Sequence, residues 1–265
     1  MEKLALQSWD ISATRGGRNI LSGVDMQLKK GTLNVIIGPN GAGKSTLIDV
    51  LSGEDQPRSG KVEIFGRDLR SMTVLEQAQQ RAVMAQETAV SFAFTVEEIV
   101  EMGRQCWAKT PCRELDQQNV TQAIQLAQLD HLAEARITEV SGGERQRAAF
   151  ARVLAQDTPL IILDEPVAAM DIKHQEQTLQ TIRRLCTEGR TALVVLHDLS
   201  FAAHYADQLI LLAQGQVVSA GKPQVVCDPE ILSAVYETRL HVHTDMAGKV
   251  ISIVPERSSF LSFAS

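Results

Sequence analysis

Aromatic residues are scarce, only 4% of the 265 residues. That scarcity argues against a surface that works by stacking bases on rings. Positive charge is also in deficit: 26 Lys and Arg face 32 Asp and Glu, a net charge of −6. A protein that neutralises a phosphate backbone needs the opposite balance, so nucleic acid is not expected as a partner. Long hydrophobic runs are missing. Apolar stretches such as Leu160–Leu163 and Leu193–Leu196 fall far short of the roughly 20 residues that span a bilayer. Met1–Leu6 carries Glu2 and Lys3 in place of an apolar signal core, so the chain is expected to be cytosolic. The four cysteines, Cys106, Cys112, Cys186 and Cys227, show no C-x-x-C spacing. That removes the usual zinc-knuckle and redox motifs and fits reduced thiols.

What is present is the mix of a soluble globular protein, 44% hydrophobic and 22% charged. The N-terminal stretch alternates apolar and polar residues (Leu4, Leu6, Ile11, then Val24, Met26, Leu28, then Leu33, Val35, Ile37). It reads as strands broken by turns at Gly16-Gly17 and Lys30-Gly31. Lys61–Phe65 reads as a further strand, with one more at Val83–Gln86. From Thr95 the period changes. Thr95 and Glu98 fit a capping box, Val120 to Leu129 mark a second helix, and Ser141 opens a third. Residues 87–156 are therefore expected to form a helical block. Leu160–Leu163 and Ala192–Leu196 read as buried strands on either side of a helix over Gln175–Cys186. That alternation predicts a parallel sheet with helices on both faces. A hairpin across Gly215, a helix over Glu230–Tyr236 and a possible second hairpin complete the pattern.

Gly38-Pro39-Asn40-Gly41-Ala42-Gly43-Lys44-Ser45 fits G-x-x-x-x-G-K-[ST] between an expected strand and an expected helix. Glycines in such a loop let backbone N–H groups turn inward around an anion, and the helix dipole adds to the field. Lys44 is expected to neutralise the β- and γ-phosphates of a nucleotide, Ser45 to offer its hydroxyl oxygen to Mg²⁺, and Thr46 to assist with phosphate. A second constellation ends the strand at Leu163: Asp164 suits Mg²⁺ coordination, and Glu165 suits activation of an attacking water.

With these in place the sequence resembles the nucleotide-binding subunits of ABC transporters, over about Leu4 to Leu240. Val140-Ser141-Gly142-Gly143-Glu144 resembles the family signature, with Val140 and Glu144 departing from its usual residues. Gln86 falls at the Q-loop, Ala168-Ala169-Met170-Asp171 resembles the D-loop, and His197 matches the switch histidine. The resemblance implies an α/β fold of the P-loop NTPase class. It would have a RecA-like mixed sheet core with N-terminal antiparallel strands and an inserted α-helical subdomain. It implies one ATP-binding core (residues 1–86 and 157–222), the helical subdomain at 87–156 and a small C-terminal extension at 223–265. Two copies would close on two ATP molecules. Ser141, Gly142, Gly143 and Glu144 of one copy would meet the nucleotide held by Lys44 of the other, with Asp171 reaching across. Glu165, His197 and Gln86 would serve catalysis, and Ser45, Asp164 and Gln86 would hold Mg²⁺.

Residue by residue, blander readings stand beside these. Ser141 and Glu144 also form a capping box, which orders a helix start with or without an anion. His197 could be structural, and Gln86 an ordinary polar residue. Arg15 lies where the family commonly stacks an aromatic on adenine. It either stacks its guanidinium there or is a plain solvated arginine. His241-x-His243 lacks a third metal ligand nearby. Phe92, Phe94 and Trp107 either contact a partner helix or pack under the helical block.

The resemblance further implies a peripheral subunit on the cytoplasmic face of the bacterial inner membrane. It would be a homodimer bound to two integral permease subunits and served indirectly by a periplasmic substrate-binding protein. Thr95–Arg104, Asp171–Gln175 and Leu196–Ala203 resemble the iron-chelate, haem and cobalamin importers, and Pro166–Asp171 points to haem within that group. The alternatives are a ferric siderophore or cobalamin as cargo and, more remotely, a soluble ABC ATPase unconnected with transport.

Overall fold

The computed structural model describes residues 3–85, 94–109 and 113–257. Gln86, Phe92 and Cys112, singled out above, lie outside the described residues. The chain opens with two long antiparallel strands, β1 (Leu4–Arg15) and β2 (Arg18–Lys29), followed by β3 (Leu33–Ile37), α1 (Lys44–Ser52), β4 (Ser59–Ile64) and β5 (Arg67–Asp68). Next come α2 (Val74–Gln80), β6 (Arg81–Met84), α3 (Val96–Glu101), α4 (Arg113–Leu126) and α5 (Gly142–Gln156). Then β7 (Leu160–Asp164), α6 (Ile172–Thr187), β8 (Thr191–Val195), α7 (Leu199–Tyr205), β9 (Gln208–Ala213) and β10 (Gln216–Gly221) follow. The chain closes with α8 (Pro223–Val226), α9 (Pro229–Tyr236), β11 (Leu240–Thr244) and β12 (Val250–Pro255).

The strands form three sheets. A six-stranded sheet runs β10-β9-β3-β8-β7-β6, a four-stranded sheet runs β2-β1-β4-β5, and β11 pairs with β12. Five strands of the large sheet are parallel, and β10 closes its edge antiparallel to β9. Side chains of its central strands alternate between two cores. Val35, Ile161, Leu163, Val194 and Leu211 face one cluster, while Ile36, Ile162, Leu193 and Ile210 face the other. This is why Leu160–Leu163 and Ala192–Val195 read as unbroken apolar runs rather than alternating ones: both faces are covered. The expectation of helices on both faces is met unevenly. α5, α6 and α7 pack in the first cluster, whereas α1 and the antiparallel sheet cover the second.

The capping boxes at Thr95 and Ser141 are formed as the sequence predicts. The second expected helix stops short, with α4 ending at Leu126. Gln128 then takes a left-handed backbone, φ 55°, and Leu129 closes the turn onto Ile124 O at 3.0 Å. Phe94 packs against the first core. Half-buried Trp107 donates its indole N–H to Gln156 O at 2.7 Å. Both aromatics thus pack partly against this chain.

Candidate functional site

The phosphate-loop residues, the paired carboxylates and His197 meet at the C-terminal edge of the parallel sheet, where an open α/β sheet offers its crevice. β3 ends at Ile37 and the chain turns through Gly38 to Gly43 into α1. Two glycines there are sterically fixed. A Cβ on Gly38 would lie 2.1 Å from the carbonyl oxygen of Leu212, and Gly43, the N-cap of α1, sits at φ 101°. The loop is pinned from behind. Gly215 N–H in the β9–β10 turn donates to Ala42 O at 3.0 Å, and Ser22 N–H donates to Gly215 O at 3.0 Å. Ala42 N–H donates to Pro39 O at 3.2 Å.

The buried Lys44 ammonium donates to the carbonyl oxygens of Gly38 (2.8 Å) and Pro39 (3.0 Å). Burial pulls its pKa down, against the pull of Glu165 and Asp164 upward. Thr46 is buried beside it in sequence, with Ser45 half-buried between them. Asn40 and Gly41 are exposed at the tip.

Asp164 ends β7 and is only 3% exposed. Desolvation raises its pKa above the ordinary carboxylate value, while a hydrogen bond from Ser45 and the charge of Lys44 act the other way. Its Oδ1 is buried with no hydrogen-bond partner. An orphaned carboxylate oxygen next to a serine hydroxyl is a poor arrangement for an empty core. It is a good one for a hard divalent cation, which takes oxygen ligands. The residues present therefore fit Mg²⁺.

Glu165 follows with a left-handed backbone, φ 52°, unusual for a non-glycine residue. Its carboxylate Oε1 bonds to Nε2 of His197, which stands beyond the end of β8. These two, with Val167, Gln175 and Asp198, line a cavity of about 240 Å³. Asp198 caps α7 by accepting from Phe201 N–H at 2.8 Å, so the histidine is carried on an ordered turn. The sheet thus brings together Lys44, Ser45, Asp164, Glu165 and His197.

Other motif residues stand apart from that cluster. Ser141 is exposed and caps α5, accepting from Glu144 N–H at 3.3 Å. Glu144 returns the bond to Ser141 N–H at 2.7 Å, and these bonds hold its carboxyl below the usual range. Gly142 and Gly143 form the first turn of α5. Asp171 caps α6 through His174 N–H at 2.9 Å and also meets the His174 ring at 2.7 Å. The Arg15 guanidinium is largely exposed, 3.4 Å from Asp49 on α1. His241 and His243 are exposed on β11, and no group of metal ligands occurs among the described residues.

Gln146 is a residue the sequence reading missed. Its carboxamide donates to the Glu165 carbonyl at 2.7 Å and accepts from Ala169 N–H at 2.8 Å. It ties α5 to the turn that carries Glu165. The only local signal was a polar side chain one turn into an amphipathic helix, next to the buried Arg147.

Comparison with known proteins agrees with this geometry. The sequence profile of the family described as ABC transporter matches residues 21–168. The chain is 41% identical to the hemin import ATP-binding protein HmuV of Rhodococcus jostii, over 96% of this chain and 87% of that protein. It is 41% identical to HmuV of Streptomyces coelicolor over 92% and 87% of the two chains. It is 38% identical to the cobalamin import ATP-binding protein BtuD of Halobacterium salinarum, over 90% of this chain and 60% of that protein. Among solved structures, a transporter assigned to the metal-chelate ABC type, in an inward-facing conformation, superposes with TM-score 0.81 and 27% identity. The match covers 96% of this chain and 98% of that one. The dimeric ATP-binding cassette MJ0796 bound to ADP and Pi gives TM-score 0.76 and 26% identity, covering 82% of this chain and 98% of that one. The phosphate loop, the paired carboxylates and this kinship converge: the chain belongs to the ABC transporter family, as an ATP-binding, ATP-hydrolysing cassette.

Proposed function

We propose that this cassette energises an importer of haem across the bacterial inner membrane. It works as a homodimer on the cytoplasmic face, docked to two integral permease subunits that receive cargo from a periplasmic binding protein. The observation that carries the cargo is the identity of about 40% to hemin import ATP-binding proteins over nearly the whole chain. The kinship to a cobalamin import protein at 38% favours cobalamin as the second reading.

The roles follow from the chemistry of the cluster. Gly38, Pro39, Asn40, Gly41, Ala42 and Gly43 shape the anion cradle. Lys44 turns from the carbonyls of Gly38 and Pro39 to the phosphates, and Thr46 supports them. Ser45, Asp164 and Gln86 hold Mg²⁺, which when bound neutralises phosphate charge. Glu165 orients and deprotonates the attacking water, and its bond to His197 fixes its carboxylate. His197 then senses the γ-phosphate. The exposed start of α5 at Ser141, Gly142, Gly143 and Glu144 offers N–H groups to ATP on a second copy. Asp171 reaches across the same interface, and Arg15 lies on the adenine side. Residues 1–86 and 157–222 act as the ATP-binding core and 87–156 as the helical subdomain. Closure of the two copies shifts the permease by binding one of its states better than the other.

The test is uptake by vesicles holding this chain and a permease encoded beside it. Haem-loaded binding protein is expected to stimulate ATP hydrolysis and haem entry. Stimulation by cobalamin or a ferric siderophore instead would replace the cargo, and stimulation by none would reject import.

A further inference from the structure

The C-terminal segment from Pro223 is built into the protein rather than hung on it. Leu232, Leu240, Val250 and Ile253 are buried in the same core as Val35 and Ile37 of β3. The hairpin of β11 and β12 is tied at both ends. At its tip Asp245 N–H donates to Lys249 O at 2.9 Å, and the Asp245 carboxylate accepts from Lys249 N–H at 2.8 Å. At its base Glu256 N–H donates to Arg239 O at 2.8 Å, and the two side chains pair at 3.3 Å. Leu240 N–H also donates to Ser233 Oγ of α9 at 2.9 Å, which joins the hairpin to the preceding helix.

This braced hairpin meets α7, the helix that follows His197. Ile253 N–H in β12 donates to Ser200 Oγ at 3.0 Å, and the hydroxyl donates to Ile253 O at 3.4 Å. A serine in a helix can satisfy its hydroxyl on nearby backbone. Here the hydroxyl instead meets both main-chain groups of one residue 53 positions away. β12 has only β11 as a sheet neighbour, and the main chain of such an edge needs partners elsewhere. Ser200 lies in the first turn of α7, three residues beyond His197. Its neighbour Phe201 lines the cavity shared by Glu165 and His197 and packs against the first core. The His197 side chain is 48% exposed, so packing alone does not fix it. Its place is set by its bond to Glu165 and by the turn that carries it into α7.

We propose that Ser200 is a positioning residue for ATP hydrolysis. Its hydroxyl clamps the start of α7 to β12 and so sets where His197 stands against Glu165. The C-terminal hairpin thereby belongs to the scaffold of the hydrolytic site and acts on it through α7. The proposal rests on the reading of Glu165 and His197 as the hydrolytic pair. The Asp198 cap holds the same turn from within, so loss of the hydroxyl loosens His197 without freeing it.

Ser200→Ala in the full chain removes only the hydroxyl. Its kcat is expected to fall about three- to ten-fold, less than the roughly 100-fold that a displacement of 1 Å costs, because the cap remains. The KM for ATP is expected to change less than about two-fold, since the phosphate loop is untouched. The second readout is the ring signal of His197 in the magnetic resonance spectrum of the histidine-labelled chain, identified by its loss in His197→Ala. That signal is expected to move in Ser200→Ala. Val62→Ala, in the second core and away from α7, is expected to lower the melting temperature while leaving kcat and the His197 signal as in wild type. A Ser200→Ala kcat less than about two-fold below wild type would overturn the proposal, as would an unmoved His197 signal. So would an equal fall in Val62→Ala, or a Ser200→Ala chain that does not fold, since each assigns Ser200 to stability alone. Wild-type turnover in His197→Ala would instead reject the reading of the hydrolytic pair.

Discussion

Replacing Gln146 with Leu separates catalysis from binding at this site. The substitution keeps volume and deletes two bonds, 2.7 Å to Glu165 O and 2.8 Å from Ala169 N–H. Glu165 O keeps a longer bond from Ala168 N–H at 3.3 Å, and Ala169 is exposed, so water reaches its amide. The stability loss is therefore about 1 kcal/mol, at the low end for two hydrogen bonds. For a chain of this size that lowers the melting temperature by roughly 2–4 °C. The effect on turnover is expected to be larger. Glu165 holds a left-handed backbone at φ 52°, and without Gln146 its turn relaxes. A shift of about 1 Å in a reacting group costs on the order of 100-fold. Steady-state ATPase kinetics should show kcat down by roughly 10- to 100-fold with KM near wild type, because Gln146 bonds to the Glu165 turn and not to the phosphate loop. A kcat within two-fold of wild type, at the same melting shift, would refute the reasoning and leave Gln146 a structural residue.

Four further outcomes are expected. Glu165→Gln should lose roughly 100-fold or more of turnover while retaining ATP binding, and should collect as a closed dimer on gel filtration with ATP; full turnover would contradict its role as base. Ser141→Arg should block dimer formation with ATP and spare nucleotide binding by the isolated chain, measured by equilibrium titration. If binding is lost in the monomer, Ser141 acts within its own chain. Asp164 has a raised folded pKa, so folding takes up protons and stability falls as pH rises from about 3.8 through the raised value. Asp164→Asn should therefore raise the melting temperature of the nucleotide-free chain at pH 7 and abolish Mg²⁺-dependent hydrolysis, whereas a lower melting temperature would contradict the buried-charge account. Gly103→Ala would place a Cβ 2.2 Å from Arg152 O on α5, and calorimetry should show about 1–3 kcal/mol of destabilisation.

Much of this was legible in the residues. The phosphate loop announces itself because its glycines and lysine must stand at fixed spacing for one chain to wrap one anion. The capping boxes at Thr95 and Ser141 are local, a few residues closing on themselves, and both form as read. The strands at Leu160–Leu163 and Ala192–Val195 were legible because burial on both faces leaves no polar residue to interrupt them, whereas buried Asn34 breaks the run in β3. What was not legible depends on contacts distant in sequence. Gln146 meets Ala169 across 23 residues, and Ile253 meets Ser200 across 53. Neither partner leaves a mark near the other. The covering of one sheet face by β1, β2 and β4 was also hidden, since alternation fixes which residues turn inward but not what they meet.

The central claim is that ATP is hydrolysed at a site completed by a second copy. It is tested most directly by the ATPase rate of the purified chain against its own concentration, at saturating MgATP. The account predicts that rate per molecule climbs with concentration toward a plateau, and that Ser141→Arg removes the climb. A rate per molecule that stays constant on dilution, with Ser141→Arg as active as wild type, would contradict it.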